Sequence, residues 1–268
     1  MNTDKLIFRK TNTEKGRHIS VTPENSAMKH LRYGRIILDA QTPSASLETG
    51  DRETGLVCLS GAGTVTVGEQ QIPLGRYDAI YIPRGSSVQV STDGSVDLAE
   101  FSATVEGDYP LQIVRYEDVK QNGALKFSAG GPGSKRDLNI LIGKNVQAGR
   151  IVAGVTTSEP GNWTSWPPHE HAEMLEEMYV YYDMPAPSFG VQFVYTDTEE
   201  PEFVQLVRDG DAVLMPEGYH PNVSAPGHTI SFLWIMAAHR ERDDRQFGVV
   251  NVQPEFSESG SGLEASHK

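Results

Sequence analysis

One cysteine in 268 residues, Cys58, leaves no possibility of a disulfide framework within the chain. It lies in the apolar run Gly-Leu-Val-Cys58-Leu-Ser, where a thiol serves as a small buried hydrophobe. No uninterrupted apolar stretch reaches the ~18 residues that a membrane-spanning helix needs. The first ten residues, Met-Asn-Thr-Asp-Lys-Leu-Ile-Phe-Arg-Lys, lack the apolar core of a signal peptide. A cytosolic protein with no membrane partner is the expectation. Basic residues are scarce as well: 23 Lys and Arg against 36 Asp and Glu leave a formal net charge of −13. No basic pair extends into a patch, which argues against a nucleic-acid partner. Convincing helical periodicity is missing from the middle of the chain.

What the chain does contain is many short strand-like runs separated by Gly and Pro turns. Leu56-Val-Cys-Leu-Ser-Gly-Ala-Gly63-Thr-Val-Thr-Val67 reads as two strands about a Gly-rich turn. The phrase Asp78-Ala-Ile-Tyr-Ile-Pro83-Arg-Gly85-Ser-Ser87 aligns without a gap on Asp211-Ala-Val-Leu-Met-Pro216-Glu-Gly218-Tyr-His220. An internal repeat decides architecture, and this one predicts two copies of a single β-module. An all-β chain of paired jelly-roll barrels follows, the double-stranded β-helix arrangement in which cupins belong. The boundaries expected are 1–110 for an N-terminal barrel without metal ligands, 111–252 for a C-terminal metal-binding barrel, and 253–268 for a polar, frayed tail holding His267. The Gly-rich stretch Ser128-Ala-Gly-Gly-Pro-Gly-Ser lacks a Gly-Lys-Ser/Thr ending, so it is a loop rather than a phosphate cradle.

The second module carries the chemistry. Trp166-Pro-Pro-His169-Glu-His171 is followed by Glu176-Glu177-Met-Tyr-Val-Tyr-Tyr182 and, after a Pro-x-Gly turn, by His220. Side chains two apart in extended chain share a face, so His169 and His171 can close on one ion. With Glu176 and His220 they make a three-His, one-carboxylate set. Such a set suits Zn or Mn first, with Fe, Ni and Co also within its reach, and is ill matched to Ca or Mg. If the strand turns Glu176 inward, Met178, Val180 and Tyr182 share its face, while Glu177, Tyr179 and Tyr181 point away. Ser87 stands at the His220 position of the first module, and no His-x-His precedes residue 169, so that copy is expected to pack and support.

Several separate motifs in one order carry a resemblance: Gly161-Asn-Trp-Thr-Ser-Trp-Pro-Pro-His169-Glu-His171, Leu175-Glu176-Glu177, Gln192-Phe-Val-Tyr195-Thr-Asp197 and Pro216-Glu-Gly-Tyr-His220-Pro. From about residue 134 to 238 the chain resembles the bicupin sugar-acid isomerases, the family of 5-deoxy-glucuronate isomerase and 5-keto-4-deoxyuronate isomerase, with the inositol-pathway branch the nearer. The resemblance implies aldose–ketose isomerisation of a deoxy sugar acid, with metal ligands at His169, His171, Glu176 and His220. It leaves Glu177 and Tyr182 as candidate bases, Gln192 and Tyr195 as contacts to sugar hydroxyls, and a homo-oligomer as the expected assembly. Glu170, Ala172 and Phe193 stand where that branch carries Lys, Asp and Arg. Lys135, Arg136 and Arg150 are the cations that could replace the lost charge. An Fe(II) cupin dioxygenase and a non-catalytic sugar-binding cupin use the same ligand set and remain alternatives at this stage.

Overall fold

A computed structural model describes residues 5–259, and its regular structure is almost wholly antiparallel β-sheet. The strands fall into two matching sets. In the first, a six-stranded sheet runs in the order Gln112–Val114, Ala79–Ile82, Arg52–Gly61, Val96–Thr104, Arg32–Leu38, Gly16–Val21. In the second, the order is Ile7–Phe8, Ala212–Met215, Leu175–Tyr181, Ser231–Ala238, Ile151–Ser158, Arg136–Ile142, with Lys126–Ala129 added at the far edge. Each larger sheet faces a four-stranded one. These are Ser44–Glu48, Ser87–Ser91, Gly63–Val67, Gln70–Leu74 and Trp163–Thr164, Asn222–Ser224, Gly190–Val194, Phe203–Val207. The repeat read from residues 78–87 and 211–220 thus extends strand for strand through a bicupin.

The leading strands are exchanged. Ile7–Phe8 precedes the first module but pairs with Ala212–Met215 of the second. Gln112–Val114 precedes the second but pairs with Ala79–Ile82 of the first. A division at residue 110 therefore cuts across both sheets. The two aspartates that open the repeated phrase fasten these strands in the same way. Asp211 accepts hydrogen bonds from the Arg9 guanidinium and the backbone amides of Lys10 and Arg208. Asp78 accepts them from the Arg115 guanidinium and the amides of Tyr116 and Gly75.

A second reciprocal pair joins the modules face to face. Glu53, fully buried, accepts the amides of Gly149, Arg150 and Ile151 at 2.6–2.8 Å together with the Tyr81 hydroxyl. Glu176, equally buried at the corresponding place in the second module, accepts the amides of Lys29, His30 and Leu31 at 2.6–2.8 Å. A carboxylate removed from water needs such donors, because burial without them costs several kcal/mol. The amide donors come from the partner module in each case.

The barrel interiors differ. Ile36, Leu38, Leu56, Ile80, Val88 and Val90 fill the first with aliphatic side chains, each contributing about 1.5–3 kcal/mol of burial. Ser87 lies on its surface, bonded to Glu48. The joining segment contains one short helix, Tyr116–Gln121, where no helical period was expected. Glu117 and Asp118 in its first turn and Lys120 in its last complement the helix dipole. The start of the expected tail is ordered: Gln253 is buried and Pro254–Ser259 is a 3-10 helix whose Phe256 packs on Trp166. His267 lies outside the described residues.

Replacing Glu53 by alanine strands three buried amides and a phenol at the module interface. Chemical denaturation is expected to show a loss of about 3 kcal/mol or more relative to the wild type.

Candidate metal centre

The second barrel is polar inside, and its polar groups converge. His169 begins the two-residue strand His169–Glu170, which pairs with Asn251–Val252. His171 follows it, Glu177 lies in Leu175–Tyr181, and His220 follows the Pro216-Glu-Gly218 turn, where Gly218 adopts a φ of 93°. That left-handed conformation is open to glycine and strained for other residues, and it reverses the chain so that His220 points inward.

Each imidazole is oriented by a carbonyl. His169 Nδ1 lies 2.9 Å from the Pro167 oxygen, His171 Nδ1 3.0 Å from that of Leu175, and His220 Nδ1 2.8 Å from that of Gly218. A carbonyl only accepts, so Nδ1 carries the proton in all three and Nε2 presents a lone pair. The Glu177 Oε2 atom lies 3.0 Å from His171 Nε2 and 3.1 Å from His220 Nε2. His220 Nε2 is buried and has no hydrogen-bond partner in proper alignment, despite that short distance. Two lone pairs aimed at an acceptor oxygen repel each other unless a cation lies between them. The ligand atoms of His171, Glu177 and His220 fall within 4.8 Å of one another. His169 stands beside them, its ring centroid 5.0 Å from that of His220 and 6.3 Å from that of His171.

The electrostatics agree with this reading. Burial, together with the neighbouring His220 and His171, pushes His169 down to about 3, so it stays neutral and able to ligate. With no ion between them, burial acts upward on Glu177 but hydrogen bonding to His171 and His220 outweighs it and holds the carboxyl at about 2, and against its own burial His171 is raised by the same contact with Glu177; a cation would take the place of the proton that the pair shares. Nitrogen and carboxylate donors of this kind fit a divalent transition ion. The second shell is in place too, since each imidazole is held through Nδ1.

Glu176, expected as the carboxylate ligand, faces the other way. It is spent on the amides of residues 29–31, and Glu177 takes the inward position. Strand alternation then turns Tyr179 and Tyr181 inward and sends Met178, Val180 and Tyr182 toward the first module. Tyr182 accordingly donates to the Tyr77 hydroxyl at 2.9 Å and is not a base at this site. The signal was present in the sequence: Met178 and Val180 make an apolar packing face, whereas a metal cavity calls for the polar one. Gln192 is buried with its groups engaged. Its amide donates to the carbonyls of Phe193 and His220, and its oxygen accepts from Tyr181 and Asn222, so it braces the barrel rather than meeting a sugar. Tyr195 donates to Gln253 at 2.8 Å and fastens the C-terminal segment.

Beside the metal ligands lies a cavity of about 50 Å³, room for a few waters at about 10–15 Å³ each. His169, Glu177, Tyr179, Ser165, Arg136 and Phe247 are among its walls. The Tyr179 hydroxyl lies 2.6 Å from Ser165 Oγ, and its ring is 5.9 Å from that of His220. Burial and the Glu177 charge push its pKa well above the usual phenol value, so it remains protonated. Phe247 stacks on Trp234 at 4.9 Å. Neither Tyr179 nor Ser165 was picked out from sequence. The strand parity, once set correctly, identifies Tyr179.

Residues 6–252 match the model of the KduI/IolB family. A 5-deoxy-glucuronate isomerase of Geobacillus kaustophilus is 31% identical over 242 residues, covering 84% of this chain and 85% of that protein. The enzyme of the same name from Geobacillus thermodenitrificans is 30% identical, over 87% and 89%. Among solved structures, an IolB-like protein of Salmonella typhimurium superposes with a TM-score of 0.82 at 22% identity, covering 94% of this chain and 97% of that one. A mutant oxalate decarboxylase of Bacillus subtilis gives 0.67 at 13% identity, over 94% and 80%, which is a likeness of fold alone.

Protein purified without chelators is expected to carry about one transition ion per chain, as closed nitrogen and carboxylate sites do. Elemental analysis should find the ion largely lost from Glu177→Gln and retained by Glu176→Gln; the reverse pattern would restore the original assignment.

Proposed function

This chain belongs to the KduI/IolB family, and from that premise we propose that it is a metal-dependent aldose–ketose isomerase of a deoxy sugar acid, 5-deoxy-glucuronate first, serving inositol catabolism. The observation that carries the reading is the trio His171, Glu177 and His220, with His169 beside it, opening onto a walled cavity in the second barrel. A bound divalent ion would act as a Lewis acid toward the C1 and C2 oxygens of the sugar. His171, Glu177 and His220 hold it, with His169 as the adjacent fourth donor.

The chain's own groups supply a hydrogen-bond donor for the developing charge and an apolar wall around the reacting carbons. Isomerisation moves one proton from C2 to C1 and another between the two oxygens, so electrons balance within the substrate and no oxidant enters. Tyr179, kept protonated, donates a hydrogen bond toward the oxygen on which charge develops, and Ser165 fixes the direction of its hydroxyl. Trp234, Phe232 and Phe247 line the cavity and exclude bulk water. The same reading takes the enzyme to be a cytosolic homo-oligomer.

Metal-loaded protein incubated with 5-deoxy-glucuronate is expected to form ketose equally well with and without O2, and to stop when the ion is chelated. Oxygen consumption, or no ketose at full metal occupancy, would sink the assignment. Tyr179→Phe should lower kcat about 100-fold, the magnitude of one lost oxyanion donor, with KM little changed in steady-state assays.

A further inference from the structure

Two buried side-chain atoms among the described residues have no hydrogen-bond partner, and both are imidazole nitrogens. One, His220 Nε2, belongs to the metal centre. The other is His239 Nδ1, and neither His239 nor the neighbouring His30 lines the cavity beside His169 and Glu177. An orphaned nitrogen in the interior calls for an account, because buried polar groups are paired almost without exception.

The two modules bring a pair of imidazoles together here. His239 follows the strand Ser231–Ala238, where its amide donates to the Met174 carbonyl and its Nε2 lies 3.1 Å from the Ala172 carbonyl. A carbonyl only accepts, so Nε2 carries the proton and Nδ1 of the neutral ring holds a lone pair. His30 comes from the first module, in the segment whose amides are pinned on Glu176 at 2.6–2.8 Å. The two ring centroids are 5.4 Å apart, with their planes tilted by 51°. Imidazoles that share one ion through metal–nitrogen bonds of about 2.0–2.1 Å have ring centres about 5 Å apart. The metal centre shows the same spacing, with His220 5.0 Å from His169 and 5.2 Å from His171. Burial holds the His30 ring below the usual imidazole range, so it too is a neutral donor. Glu176 acts the other way, bringing negative charge near the pair, and Arg150 offsets it.

We propose that His30 and His239 form a second transition-metal site, which takes a divalent ion of the zinc, nickel or copper kind and ties the first module to the second. Imidazole suits these ions. Two protein ligands leave the other positions to water, so this ion exchanges readily and is lost on desalting, while the ion held by His171, Glu177 and His220 stays. The inference does not depend on the isomerase reading.

Calorimetric titration of the desalted, metal-loaded full chain with zinc is expected to show one further ion per chain, with a Kd on the order of 1–10 μM. In His239→Ala and in His30→Ala that uptake should weaken at least about tenfold, with the resident ion retained by elemental analysis. His30→Ala alters a half-buried side chain and keeps the amide that Glu176 accepts, so it separates loss of a ligand from loss of the fold. Glu177→Gln, emptied at the first site, should still take up the ion between His30 and His239. Added zinc should raise the Tm of the wild type by mass action and leave that of the two alanine variants unmoved. A wild type that takes up no further ion would overturn the inference. So would an ion bound equally well by either alanine variant, an ion that depends on Glu177, or a zinc-induced rise in Tm that persists without the histidines.

Discussion

Two buried carboxylates hold this molecule together and, in doing so, decide which residues face its active centre. Glu53 and Glu176 occupy matching strands, and each collects its hydrogen bonds from the chain entering a strand of the other module. Neither could be buried without those amides. Because side chains alternate along a strand, fixing Glu176 at the interface turns Glu177 into the barrel, with Tyr179 and Tyr181 behind it. Which of the two carboxylates joins the histidines is thus settled by a contact on the opposite face of the sheet.

The contrast between the two interiors follows from the same arrangement. A barrel filled with Ile, Leu and Val supplies stability without chemistry, as the first one does. The second gives up part of its apolar core to histidines, Glu177, Gln192 and Asn222, all of which must be oriented by hydrogen bonds to remain inside. Docking the two together lets the first share its stability with the second, since the first module's residues 29–31 and its Tyr77 both bear on the strand that carries Glu177 and on its end.

Much of this was legible in the residues. The ungapped match of 78–87 with 211–220 pointed to the doubled fold, and His-x-His with a later Pro-x-Gly-x-His pointed to the cluster in which His171 and His220 meet a carboxylate. The missing position is instructive. Glu176-Glu177 offers two carboxylates in a row, and no local preference says which is inward. That depends on amides more than 140 residues away. Gln192 and Tyr195 show a related difficulty, because a polar side chain in a barrel strand looks the same in sequence whether it meets a ligand or braces its neighbours as these two do.

The crossed leading strands carry a consequence for how such a chain can be divided. A fragment starting at 111 would lack Ile7–Phe8 at one edge of its sheet and the Arg9 and Lys10 groups that hold Asp211. A fragment ending at 110 would lack Gln112–Val114 and the donors to Asp78. A single cut at this point therefore strips both sheets at once, leaving each half with an open edge where the other's leading strand had lain.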